Sequence, residues 1–153
     1  MNWVIRHSKK MPYHTHLDQI LKPILDDVGH YNWLLADLEY TSTFSDKIPV
    51  DMDQDYFILA PEEFAELLKA DLQIWWGVIL GIHPGVEVMV NENNLPFAEG
   101  NDQIWMNGNL QYPDAAIEIV CFDSSYTIVK FTDEQLSGKF YTYFPEAIEL
   151  EKL

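Results

Sequence analysis

Three aspartates at alternate positions, Asp51, Asp53 and Asp55, are the residues in this chain best spaced for chemistry. With Ile58 and Glu62 they match an EF-hand calcium loop at its first, third, fifth, eighth and twelfth positions. The sixth position of such a loop calls for glycine, because the backbone turns sharply there, and this chain has Tyr56. No helical pattern leads into Asp51, and Pro61 directly precedes Glu62. The stretch therefore reads as a solvated acidic loop ahead of a strand, with no metal expected. If its carboxylates cluster, they still form a patch that a cationic partner could read.

The other chemical candidates are thinner. His14-Thr15-His16, with Asp18, has a spacing that puts two imidazoles on one face of a strand. Here it falls at the start of a helical pattern, where i and i+2 point apart, and no second cluster completes a tetrahedral metal site. Cys121 lies between Val120 and Phe122, which are the surroundings of an inert core thiol. Asp123-Ser124-Ser125 is turn chemistry. Gly77-x-x-x-Gly81 sits in a strand and lacks the lysine of a phosphate loop. No catalytic residue and no cofactor is expected, and the sequence points away from an enzyme.

The elements that would carry these residues follow from periodicity. Trp3-Val4-Ile5 is a short strand. Leu17, Ile20, Leu21, Ile24, Leu25 and Val28 have helical spacing, with Thr15 as N-cap, Gly29 at the C′ position and Pro23 splitting the run. Strands are expected over 32–40, with Leu34 and Leu38 or Trp33 and Leu35 on one face, and over 55–59. A helix opens at Pro61 with two glutamates in its first turn. The run 74–82 is apolar on both faces and reads as the strand around which the core is built. Gly77 and Gly81 leave room beside it for something bulky. Because neighbours on a strand face opposite ways, Trp75 and Trp76 cannot share one core. Val86–Val90 alternates like a half-exposed strand, and 91–113 is a long polar loop with embedded aromatics. Residues 116–122 and 126–131 form a hairpin. Thr132-Asp133-Glu134-Gln135 has capping-box spacing for a short helix, ended at Gly138 or continued to Phe144, before a peripheral acidic tail. The sum is a single α+β domain over 1–153, a mainly antiparallel sheet with two to three helices packed on it.

Composition bounds the partner. The formal net charge is −16 over 153 residues, which excludes nucleic-acid phosphate and anionic membrane surfaces as natural partners. No Lys or Arg falls between Lys69 and Lys130, whereas eight acidic residues do, from Asp71 to Asp123. Carboxylates without nearby bases project a field that steers a basic partner, although the same acidity also keeps a protein soluble. A single cysteine, a start that lacks an apolar run after basic residues, and no stretch near the ~20 apolar residues of a membrane span give a cytoplasmic expectation.

The order Tyr31-Asn32-Trp33, a Pro-Glu-Glu-Phe helix opening, a Trp-Gly-Val strand and Phe122-Asp123-Ser124-Ser125-Tyr126 before a C-terminal helix resembles small uncharacterised bacterial families. Several of these are similar to the acidic immunity proteins of bacterial toxin systems. The resemblance implies a protein that binds and blocks a toxin enzyme, with no catalysis of its own, and transfers no functional residue.

The leading expectation is thus a non-enzymatic acidic protein that occludes a basic partner. Asp51, Asp53, Asp55, Glu92, Glu99 and Asp102 would supply charge, and Phe97 or Trp105 the anchor. The alternatives are a small-molecule-binding domain or enzyme with an aromatic pocket beside the strand at 74–82, and a structural subunit that uses an apolar patch to oligomerise.

Overall fold

A computed structural model describes residues 1–11 and 15–153. The chain forms one seven-stranded antiparallel sheet in the order β3-β2-β4-β5-β6-β1-β7. The strands are β1 (Trp3–Ile5), β2 (Asn32–Ser42), β3 (Tyr56–Leu59), β4 (Leu72–Ile82), β5 (Ala115–Phe122), β6 (Tyr126–Phe131) and β7 (Ile148–Glu149). With its helices this is the α+β domain that the periodicity predicts.

Helices cover one face. The first is broken, as Pro23 requires: α1 (Leu17–Leu21), a 3-10 turn (Lys22–Ile24) and α2 (Leu25–Val28). Thr15 is not its N-cap. His16 occupies that position, and the Thr15 hydroxyl pairs with Thr127 Oγ1 at 2.7 Å in the interior. Gly29 stays in the ordinary helical region at φ −68°, so no left-handed cap forms. α3 (Pro61–Leu68) opens as expected, with Glu63 Oε1 accepting from Ala60 N. α4 (Glu134–Tyr143) is capped by Asp133, whose side chain accepts from Gln135 N and Leu136 N. It runs straight through Gly138.

Under the helices the largest buried group is Trp33. Its ring stacks on Phe64 at 4.2 Å, and its Nε1 donates to the Val28 carbonyl at 3.1 Å. It lies against Gly81, where an added Cβ would come within 3.1 Å of the ring. A side chain at Gly77 would likewise meet Leu38. The room left by these two glycines is therefore filled from within the chain, by Leu38 and Trp33.

The sheet is also apolar on its other face, where Leu34, Val78, Leu80, Ile82, Val120 and Ile128 are buried. Residues 86–112 cover them with almost no regular structure. Val86–Val90 is not a strand. Its valines pack inward and Met89 points out, an alternation that comes from lying on an apolar surface rather than from a ladder. Ala98 and Ile104 are fully buried in this layer, and the tail is not peripheral, since β7 pairs with β1 and Leu150 is buried.

A cover of irregular backbone must still pair its N–H and C=O groups. Side chains rising from the sheet do this. Glu118 and Lys130 face each other across β5 and β6, both fully buried, with Lys130 Nζ 3.5 Å from Glu118 Oε1. Lys130 Nζ donates to the carbonyls of Asn109 at 2.6 Å and Gln103 at 3.3 Å, while Glu118 Oε2 accepts from Gln111 N at 2.6 Å. Within the cover itself, Tyr112 Oη accepts from Met89 N at 2.9 Å. Burial pushes the Glu118 carboxyl above its ordinary range and the Lys130 ammonium below its own, against their mutual attraction.

The register between β2 and β4 shifts twice. Asp37 and Leu38 together oppose Gly77, and Trp75 is then the extra residue on β4. Asp37 adopts φ 59° at this bulge. Each shift reverses which face a strand's alternate residues occupy. Trp33 and Leu35 pack under the helices, and beyond the bulge so do Leu38 and Tyr40, which separates Leu38 from Leu34. On β4, Ile74 packs under the helices while Trp76 packs on the other layer against Phe122. Trp75, between them, remains 39% exposed.

Gly81→Ala should destabilise the fold by about 1–3 kcal/mol, because the buried Trp33 ring cannot yield to a Cβ. The check is a lower urea midpoint at unchanged slope. Lys130→Met should cost roughly 3–5 kcal/mol near neutral pH by leaving Glu118 buried without a counter-ion. Its folded pKa then rises further above the unfolded value. Stability from a raised group is complete below the unfolded pKa and is lost as pH rises through the folded one. The deficit against wild type should therefore be larger at about pH 8 than at about pH 5, read from urea midpoints at both.

Candidate functional site

Two polar turns meet beside β3. In the first, Asp53 N donates to Asp51 Oδ1 at 3.0 Å, and Gln54 Nε2 to the Asp51 carbonyl at 3.3 Å. In the second, Asn93 N donates to Asn91 Oδ1 at 3.0 Å, and Asn94 N to the Asn91 carbonyl at 2.9 Å. Such Asx turns hold short polar loops in shape without a ladder. The Tyr56 hydroxyl joins the two by donating to Glu92 Oε1 at 3.1 Å. That hydrogen bond to a carboxylate is the main reason the Tyr56 phenol is raised above its usual range.

Between the turns lies an open groove of about 710 Å³, lined among others by Asp53, Asp55, Tyr56, Ile58 and Glu92. It adjoins a second hollow of about 360 Å³ that shares Gln54, Asp55 and Leu95 with it and adds Asp37, Glu39 and Phe97. Five carboxylates from three separate stretches thus converge, and among the described residues no Lys, Arg, His, Ser, Thr or Cys lines either hollow. Phe97 is 41% exposed at the rim. Its position is fixed from both sides: its N–H donates to Gln111 Oε1 at 3.0 Å, and the next residue, Ala98, donates from N to Asp37 Oδ2 at 3.0 Å.

The structure therefore brings Asp53, Asp55, Glu92 and Phe97 to one place. Asp51 is exposed beside them and closes the first turn. Glu99 and Asp102 are exposed and line neither hollow. Trp105 is elsewhere. It packs edge-on against Phe122 and Tyr126 at 5.1 and 5.7 Å, and borders a different hollow with Leu150 and Leu153. Asp37 and Glu39 belong to the acidic site although no spacing in the sequence marks them, because they reach it only through the β2 bulge.

The remaining candidates resolve as follows. Tyr56, at the position where a calcium loop needs its sharp turn, is the first residue of an extended strand. His14 lies outside the described residues, and His16 Nε2 stands 3.9 Å from Asp71 Oδ1. Among the described residues no three or more His, Cys, Asp or Glu are grouped to hold a metal ion. Cys121 is buried, and burial pushes its thiol up to about 12, so it is no nucleophile. Among the described residues no helix is long and apolar enough to cross a membrane.

No family model, curated protein or solved structure matches the chain. What the groove can do follows from its own geometry. It offers acceptors and negative potential with an apolar rim, which suits Lys and Arg side chains and repels phosphate.

In an NMR pH titration with assigned ring resonances, Tyr56 should titrate above the ordinary tyrosine value of 10.0. Glu92→Gln should bring it back toward that value. An unchanged Tyr56 in the variant would show that the two turns are not joined through this bond.

Proposed function

We propose that this chain is a non-enzymatic acidic binding protein that occludes a basic protein partner, as an immunity protein occludes a bacterial toxin enzyme. The observation that carries this reading is the convergence of Asp37, Glu39, Asp53, Asp55 and Glu92 on adjoining hollows that no base among the described residues lines. A field of one sign over a concave surface raises the encounter rate with a cationic partner, and salt weakens it within a Debye length of about 8 Å at physiological strength. Phe97 at the rim supplies an apolar anchor of the kind that dominates interface energies. The setting would be a reducing cytosol, where a lone buried Cys121 needs no disulfide partner.

A small-molecule enzyme is less well supported. The glycines that would have opened a pocket beside β4 seat Trp33 and Leu38 instead.

The test uses the protein encoded by the adjacent gene. Its expression alone should arrest growth, and co-expression of this chain should relieve the arrest. The triple variant Asp53→Asn, Asp55→Asn, Glu92→Gln should lose the relief and bind the neighbour at least ten-fold more weakly at low salt, with an unchanged urea midpoint. A triple variant that protects and binds like wild type defeats the acidic-groove reading. A neighbour that is neither toxic nor bound defeats the immunity role.

A further inference from the structure

We propose that the free edge of β3 is a docking strand, onto which an extended Lys/Arg-rich segment of the partner adds as a further antiparallel or parallel strand. This rests on the acidic groove as the binding site and specifies how the groove is filled.

β3 terminates the sheet, with β2 on one side and, among the described residues, no strand on the other. On an edge strand every second residue turns its N–H and C=O away from the neighbouring strand, toward whatever lies beyond. What lies beyond β3 is the groove. Its lining takes in Tyr56, Phe57 and Ile58 in succession, with Glu92, Asn93 and Leu95 also contributing. Consecutive residues of a strand point to opposite faces of the sheet. A hollow that touches three in a row therefore lies along the backbone edge, where an added strand would run, and not on a face.

Charge selects the occupant. Edge strands are commonly protected by their own lysines. Here Asp53 and Asp55 precede the strand and Glu92 stands by it. A second copy of this chain, at net charge −16, is repelled from that edge, as is any acidic segment. A segment alternating Lys or Arg with apolar residues fits instead. Its cations meet the carboxylates, its apolar side chains meet Ile58, which is 40% exposed, and its backbone completes the ladder.

The probe is a capped peptide of four Lys-Val repeats, compared with two isomers N-methylated at every Lys or at every Val. All three carry the same charge. A docked strand bonds to β3 through one of the two sets of N–H groups only. The parent peptide should bind at low salt and slow amide exchange within 56–59. One methylated isomer should lose at least ten-fold in affinity and the other should match the parent. Equal binding by both isomers overturns strand addition while leaving side-chain recognition by the acidic groove intact. No binding by the parent also overturns it. Parent binding unaffected by the Asp53→Asn, Asp55→Asn, Glu92→Gln variant instead overturns the acidic groove itself.

Discussion

The cover over the sheet's second face depends on one buried ion pair. Residues 86–112 form no extended strand and only one short 3-10 turn, so their backbone is paired by scattered single-turn bonds and by side chains rather than by a ladder. Lys130 and Glu118 reach up from neighbouring strands and take two carbonyls and one N–H of that segment. Each charge is costly to bury alone, and each is acceptable because the other and the irregular backbone supply its partners. An apolar pair at these positions would suit the sheet equally well, yet it would leave the cover with orphaned carbonyls. The pair therefore fixes where the loop lies more than it stabilises the sheet beneath.

From that placement the acidic groove follows. Once 103–111 is held over β5 and β6, Gln111 is positioned to accept from Phe97 N and from Asn101 Nδ2. Asp37 holds the next residue, Ala98, from the bulge on β2. Phe97 and the turn at 91–94 are then carried to the β3 side of the sheet, where Glu92 meets Tyr56. The groove is thus bounded by a bulge on one strand, the covered sheet and two short polar turns, with Tyr56 joining one turn to the other through Glu92.

Much of the fold was legible because its elements announce themselves locally. Pro23 breaks a helix, Pro61 opens one, and the 116–131 hairpin alternates cleanly around a turn. The bulges were not legible. A strand that is apolar on both faces, as β4 is, gives no parity signal to violate, so an inserted residue at Trp75 leaves no mark. The same blindness hid Asp37 and Glu39 from the site. Val86–Val90 misled in the opposite sense, because packing on an apolar surface produces the alternation that a ladder would. Trp105 was a reasonable anchor by residue type, but its ring is engaged by Phe122 and Tyr126, a contact between positions far apart in the chain. Asp53, Asp55 and Glu92 line one groove as exposed carboxylates, which stay at the surface in almost any fold.

The charge distribution is sharper in three dimensions than in the sequence. Counted along the chain, the base-free stretch runs from Lys69 to Lys130. Lys130, however, is fully buried and neutralises Glu118 in the interior. The next base is Lys139, which pairs with Asp27 at 2.9 Å on the helical side. The surface contributed by residues 70–138 therefore exposes no lysine or arginine. Burying the pair withdraws one base and one acid together, so the net charge of the outer layer is unchanged, while the surface of residues 70–138 is left with carboxylates alone. The acidic field over the groove is consequently shaped by the fold: the interaction that anchors the cover also keeps the base at position 130 out of the surface.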